Sequence, residues 1–395
     1  MPFSIINNPG GKMDRILSRA RTAQSPRFVL CVGGTKTSDV DGLSGAGATP
    51  EDRRMTPRCD AEALINGIAG KTSQLPVSPE GIVSPVVITV ACLKLLNIPV
   101  TIVDCGTFAG PRVGERIKIG TPPADCLSSG SAQELDNVKR LFKNGCELGA
   151  KLTQDSDLVI IAECVPAGTS TAFAVLSALG YDVHNAVSSS MPNLNHQMRW
   201  QLAATGLTKA GLITSITPGD PEATQSKVGQ PLNVVAAVGD PMQPFAAGLA
   251  LAASHKATVI LGGGSQMLAV YSLAKACTRY GVFDIEDAKI NIGANSDVSN
   301  IGVITTSWVA HDKNAKVSDI SKTVDAPFGC SMLDFSLSSH PGLRAYEDGH
   351  VKEGVGAGAS IVLTHLLKNY SAEQLIAAID ETYSQMALGE TATGC

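Results

Sequence analysis

Two carboxylates and one run of hydroxyls are the residues of this chain best suited to chemistry. Glu163 ends an apolar run and is followed, across Pro166, Ala167 and Gly168, by Thr169, Ser170 and Thr171. Glu353 is followed by Gly354, Gly356 and Gly358. A carboxylate withdrawn from water is a candidate general base, because burial raises its pKa toward neutrality. Hydroxyls and unpaired N–H groups where a helix starts are a candidate phosphate cradle. The same spacing also suits an ordinary capped strand–helix connection. Glycines cost a helix interior about 1 kcal/mol each, so those after Glu353 imply that something packs closely on the backbone there. Ser188 to Ser190, with Ser189 at their centre, can face a ligand or serve as a cap. His340 and His350, in a polar loop, read as hydrogen-bonding loop residues rather than metal or acid–base groups.

The elements that must position these groups repeat one unit. The first half of the stretch from Leu158 to Ala172, with Glu163 at the strand end, reads as a strand buried on both faces, with a helix from Ala172 to Tyr181. Phe28 to Gly34 is a strand ending in a glycine turn, Val86 to Leu96 a helix, Val100 to Asp104 a strand, and Ala132 to Leu152 a helix. The polar loop from Ala186 to Arg199 leads into a helix through Ala210. Asn233 to Val238 reads as a strand ending at Gly239 and Asp240, with a helix from Pro244 to Ser254. Ala257 to Leu261 reads as a strand ending at Gly262 and Gly263, with a helix from Ser265 to Cys277. Ile301 to Ser307 is a further strand, and Ala359 to Leu367 and Ala372 to Met386 are helices. Thr35 to Pro57 reads as a long polar loop with a functional role, followed by a short helix over Cys59 to Ala69. The pattern predicts an α/β fold, a Rossmann-like parallel sheet wrapped by helices, with its site along the carboxyl ends of the strands.

Composition narrows the ligand. The 395 residues are 44% hydrophobic, enough for a large core, while only 17% are charged and 4% aromatic, with a net charge of −5. Lys and Arg are dispersed, so neither nucleic acid nor an anionic membrane is an expected partner, and small molecules are. The N-terminus lacks the charged start and apolar core of a signal peptide, and a cytoplasmic chain is the expectation. Gly81 to Gly106 is interrupted by Pro85, Lys94, Asn97 and Pro99, short of the roughly 18–20 apolar residues of a membrane span. The ten cysteines form no Cys-x-x-Cys pair and read as reduced thiols, without a zinc site or disulfide framework.

With these residues in view, the chain resembles the nicotinate-nucleotide:dimethylbenzimidazole phosphoribosyltransferase family of cobamide biosynthesis, and one branch of it more closely. The run Lys352, Glu353, Gly354, Val355, Gly356, Ala357 looks like the family's Gly-Glu-Gly-Ser/Thr-Gly-Ala, whose glutamate is the catalytic base. Ala162 to Thr171 is similar to the family's nucleotide-holding Gly-Glu-Met-Gly-Ile-Gly-Asn-Thr-Thr loop, with Ala162 and Val165 in place of glycines and one residue more. Arg199 falls where the family carries an active-site lysine, a planar fork in place of a point charge. Gly239 and Gly262 fall at the family's Gly-Gly-Phe and Asp-Gly-Phe turns.

The resemblance implies transfer of the ribosyl 5-phosphate of nicotinate mononucleotide to an aromatic base, dimethylbenzimidazole or an analogue. The products are an α-ribotide and nicotinate, with no cofactor or metal. It assigns catalysis to Glu353, and substrate contact to Glu163, Gly168, Thr169, Ser170, Thr171, Ser189, Arg199, Gly239, Asp240, Gly262, Gly263 and Gly354. It also implies an α/β core over 81–335, a smaller helical lobe from 1–80 and 336–395 that carries the Glu353 motif, and a homodimer. Two rivals are a non-catalytic nucleotide or cobamide-precursor sensor and a Rossmann dehydrogenase. The latter is weak, since no Gly-x-Gly-x-x-Gly follows the first strand with an acidic residue about 20 positions on.

Overall fold

Alternation along the apolar strands sends successive side chains to opposite faces of one sheet, and helices cover both faces. The computed structural model describes residues 2–71, 76–78, 81–113, 116–193, 195–212, 230–280, 283–285, 290–292 and 297–387. In chain order its elements begin β1 (Phe3–Asn7), α1 (Lys12–Arg21), β2 (Pro26–Val32), α2 (Pro50–Ile68), α3 (Val86–Leu96), β3 (Val100–Asp104), β4 (Arg116–Lys118) and α4 (Leu135–Leu152). The middle runs β5 (Leu158–Cys164), α5 (Gly168–Ala178), α6 (His196–Lys209), α7 (Pro231–Val238), α8 (Met242–Ser254), β6 (Thr258–Gly262) and α9 (Ser265–Tyr280). The last part runs β7 (Phe283–Ile285), β8 (Ile290–Ile292), β9 (Ile301–Thr306), α10 (Ser307–Ala310), α11 (Val317–Thr323), β10 (Phe328–Ser331), α12 (Pro341–Arg344), α13 (Ala357–Lys368) and α14 (Ala372–Ala387).

The eight-stranded sheet has the order β1-β10-β9-β6-β5-β2-β3-β4. Every neighbouring pair is parallel except β1, which runs antiparallel to β10. Read from β4, the parallel strands are added in one direction up to β2 and in the other from β5 onward. Ligand crevices open above such a reversal, outside the carboxyl ends of the strands. Val29, Cys31, Val159, Ile161, Val259 and Leu261 point into one core, shared with α4, α5, α7, α8 and α9. Phe28, Leu30, Ile160, Ala162 and Ile260 point into the other, shared with α1, α2, α3, α13 and α14. Among the described residues, no helix is long and apolar enough to cross a membrane.

The expected boundary at residue 81 does not run through the sheet. Residues 3–7 form its edge strand, and residues 26–32 lie at its centre between β3 and β5. What gathers from the chain ends is helical: α2, α13 and α14 all pack on α3.

Four further readings are corrected. Asn233 to Val238 is not a strand but most of α7, which Pro231 opens at a position that needs no N–H donor. The Thr35 to Pro57 loop ends at Thr49, because Thr49 and Asp52 form a reciprocal capping box that starts α2 at Pro50. Helix α5 begins at Gly168 rather than Ala172, after Ala167 in a left-handed conformation (φ 61°). Its hydroxyls therefore stand within the first turn rather than at the cap. The strands β1, β4 and β10 were not anticipated at all.

Glycine is required where α13 crosses the sheet. A Cβ on Gly358 would lie 2.1 Å from the carbonyl carbon of Thr305, and one on Gly262 would lie 2.9 Å from Ala359 Cβ. Gly358→Ala should cost about 1–3 kcal/mol of stability, since the obstacle is backbone and cannot swing aside. A fall in the urea midpoint at unchanged slope would show it; an unchanged midpoint would refute the close-approach argument.

Candidate functional site

A cleft of about 950 Å³, counted out to its open mouth, lies over the end of β5. Glu163 reaches it as the penultimate residue of β5. Its carboxylate accepts the Val165 N–H at 3.1 Å, and its backbone carbonyl accepts the Val355 N–H at 3.1 Å. The second bond brings the Glu353 segment to the strand end, so Glu163 and Glu353 line one cleft although 190 positions separate them in the numbering. Burial pushes the Glu163 carboxyl up to about 8, with the neighbouring Asp240 and Glu353 carboxylates adding to it. Glu163 is therefore protonated at neutral pH.

Glu353 is held from three sides. One carboxylate oxygen accepts the N–H groups of Gly354 (3.1 Å) and Gly358 (3.4 Å), and the other accepts the Thr305 hydroxyl at 3.1 Å. Burial raises its pKa to about 7, against the pull of those hydrogen bonds toward the ionised form. The loop that presents it is bent into the left-handed region at Val351 (φ 61°), Lys352 (φ 56°) and Val355 (φ 53°). Such angles are strained for these residue types and persist only where neighbours impose them. The neighbours are identifiable. Lys352 Nζ forms a 2.7 Å ion pair with Asp312, the two side chains being 3% and 4% exposed. The Lys352 carbonyl accepts the Thr306 hydroxyl at 2.6 Å, and the Val351 N–H bonds Ser190 O at 3.0 Å.

Asp312 also accepts the Ser188 hydroxyl at 2.6 Å, and the Ser188 carbonyl accepts Arg199 Nη2 at 3.0 Å. The same nitrogen donates to Thr169 Oγ1 at 3.2 Å, while Nη1 donates to Val187 O at 2.7 Å. Arg199 is 1% exposed. Burial lowers its pKa only to about 9, which leaves the guanidinium charged at neutral pH. A continuous set of polar contacts thus runs from the α5 start through Arg199, Ser188, Asp312 and Lys352 to the residue before Glu353.

Of the residues singled out from the sequence, Glu163, Gly168, Thr169, Ser189, Glu353 and Gly354 line the cleft. The others stand behind its wall. The Ser170 hydroxyl is buried without a partner among the described residues. Thr171 donates to Asp240 at 2.6 Å, and Asp240 accepts the Met242 and Gln243 N–H groups that open α8. Gly239 and Gly262 serve close packing, and Gly263 (φ 155°) turns the chain toward α9. Sequence reasoning missed Asp60 and Ser84 in the cleft wall, Gln266 at the start of α9, and the Lys352–Asp312 pair. Lys352 sat inside the recognised motif; nothing around Asp312 in the sequence marked it.

Four desolvated acids, three of them buried, make stability depend on pH. Burial raises Asp60 and Asp240 to about 6, Glu353 to about 7 and Glu163 to about 8. In the unfolded chain all four ionise near pH 4, so between pH 4 and 8 the folded state binds more protons. The stability from those protons is complete below pH 4 and is lost as pH rises through 6, 7 and 8. The unliganded protein should therefore show a melting temperature that falls from pH 6 to 8, and Glu163→Gln should flatten the upper part. A melting temperature rising over that interval would contradict the burial of these acids.

No family model matches the chain. It is 39% identical over 364 residues to a UPF0284 protein of Gloeothece citriformis, covering 91% of each chain. It is 40% identical over 361 residues to one of Gloeobacter violaceus, covering 91% of this chain and 88% of that one. Among solved structures, it superposes on a nicotinate-nucleotide-dimethylbenzimidazole phosphoribosyltransferase from Thermus thermophilus with a TM-score of 0.54, covering 98% of this chain and 92% of that one at 14% identity. A Thermus thermophilus structure described as CobT gives a TM-score of 0.54 at 15% identity. At these identities the likeness is one of fold.

Proposed function

The chain belongs to the UPF0284 family, and from that premise and its cleft we propose that it is a phosphoribosyltransferase. In this reading it moves the ribosyl 5-phosphate of nicotinate mononucleotide onto a ring nitrogen of an aromatic base, in the synthesis of a cobamide lower ligand. The observation that carries the proposal is Glu353: a partly exposed carboxylate that desolvation raises to a pKa of about 7, in one cleft with the α5 start.

The lone pair of the accepting ring nitrogen attacks C1′ from the face opposite nicotinate. The C1′–N bond to nicotinate breaks, its electron pair returning to the pyridine nitrogen, and the anomeric centre inverts from β to α. The accepting ring gives up its N–H proton to Glu353. A base with a pKa near the working pH combines available ionised form with sufficient proton affinity. Thr169, whose hydroxyl charged Arg199 orients from behind the cleft wall, contacts the phosphate, where the positive end of α5 adds to the attraction.

The dehydrogenase reading lacks its structural element. After β2 and Gly33, the chain makes a short turn over Lys36–Asp39, and the next helix, α2, starts only at Pro50. Incubation with nicotinate mononucleotide and a panel of bases, with mass detection of ribotides, tests the proposal. No ribotide from any base would favour a non-catalytic nucleotide sensor. Thr169→Ala should weaken donor binding by about 1.5–3 kcal/mol and leave free-base affinity unchanged, while equal loss for both would indicate damage to the fold. The proposal includes a homodimer, and a single-chain mass by light scattering at micromolar concentration would remove that part.

A further inference from the structure

One wall of the cleft is not used by the transfer chemistry described above. Asp60 projects from α2, Ser84 from the segment before α3, and Cys164 from the end of β5, and all three line the cleft. One Asp60 oxygen accepts the Ser84 hydroxyl at 2.7 Å, and the other accepts the Cys164 thiol at 3.1 Å. A carboxylate offers about four lone-pair positions, so two donors leave it with acceptor capacity to spare. Asp60 is 4% exposed. Its charge is answered by those two hydrogen bonds and by no cation among the described residues. Each Asp60 oxygen thus has one donor and room to accept another from a ligand in the cleft.

The same wall adjoins the general base. The Pro85 ring lies 3.5 Å from where a Cβ on Gly354 would stand, and Ile82 and Val77 add apolar surface beside it. Glu353, Asp60 and Ser84 line the same cleft, so a ring that meets Glu353 at one edge can meet Asp60 and Ser84 at another. An anionic wall repels the phosphate and the nicotinate carboxylate of the donor, which assigns this end of the cleft to the accepting base.

We propose that Asp60, braced by Ser84 and Cys164, selects the accepting base, favouring a nitrogen heteroaromatic with N–H donors on its far edge, an aminopurine, over a benzimidazole whose far edge carries only methyl groups. The inference rests on the phosphoribosyl-transfer reading and names its acceptor class. A site built around a hydrogen bond rejects the analogue that lacks the donor far more strongly than an apolar pocket separates two shapes.

Titration calorimetry with adenine, purine, benzimidazole and 5,6-dimethylbenzimidazole tests this without requiring turnover. Adenine and purine share a ring system and differ by the exocyclic amine. The wild-type protein should bind adenine at least about tenfold more tightly than purine, the lower end for a hydrogen bond to a charged group. Asp60→Asn should bring the ratio near one while changing dimethylbenzimidazole affinity less than about twofold. A wild-type ratio near one, or an equal loss for every base in Asp60→Asn, overturns the proposal. Ser84→Ala covers the case in which Asp60→Asn does not fold: it keeps the carboxylate and frees a lone pair, so its ratio should match or exceed wild type, and a ratio near one again overturns the proposal. Ribotide detection on the same panel separates the two readings. Selective adenine binding with no ribotide from any base supports this site and removes the transferase. Ribotide formation without adenine selectivity keeps the transferase and removes this site.

Discussion

Glu353→Gln should lower turnover by roughly 10²–10⁴ while donor affinity stays near wild type, the range that positioned general-base catalysis supplies. The substitution preserves volume, and the amide oxygen can still accept the Gly354 and Gly358 N–H groups that orient the carboxylate. What it removes is the ability to take a proton. The wild-type kcat/KM should rise with pH through about 7 as Glu353 ionises, and the variant should lose that limb of the profile. Wild-type turnover in Glu353→Gln would place the base elsewhere. Glu163 would be the next carboxylate to test, although at about 8 it is protonated at neutral pH and better suited to donate than to accept.

Asp312→Ala should be the most destabilising single change near the cleft, at about 3–5 kcal/mol, because it leaves the Lys352 ammonium buried without its partner. Lys352 Nζ keeps only a 3.4 Å contact to Met191 O, and Ser188 loses its acceptor as well. The loop from Val351 to Val355 would then be free to relax out of its left-handed angles, carrying Glu353 with it. A second variant separates charge from packing. Asp312→Leu combined with Lys352→Met removes both charges and should recover most of the stability, as apolar replacements of buried pairs commonly do. Urea denaturation measures both, and a loss under 1 kcal/mol in Asp312→Ala would show that the pair does not hold the loop.

How legible these features were depends on the distance over which their causes act. Val86–Leu96 and Val100–Asp104 have in the structure the limits read from the sequence, because each is an apolar run bounded by polar or turn-forming residues. Residues 233–238 defeated the same reasoning. A short run of Val and Ala suits a buried strand or a buried helix equally, and the choice fell to Pro231 and to packing against α4 and α5. The strands β4 and β10 span only 3 and 4 residues, and β1 is only partly buried. Too little of each shows in composition. For the site, local motifs led to Glu163, Thr169 and Glu353, where the backbone itself must take an unusual path. Asp60 and Asp312 carry no such mark: an acid in the middle of a helix and another in a loop acquire meaning only from what the fold brings against them.

The antiparallel edge strand also has a consequence for biosynthesis. Among the described residues, Phe3–Asn7 pairs with no strand but β10, and Asn7 hydrogen-bonds Ala326, 319 residues further on. A ribosome adding roughly 5–20 residues per second needs on the order of 15–65 s to cover that interval. Throughout that time the segment that will close the sheet is outside the ribosome with its backbone donors and acceptors unclaimed. It is consequently a natural target for chaperones that bind extended chain, and a peptide spanning residues 2–8 would compete for the β10 edge during refolding.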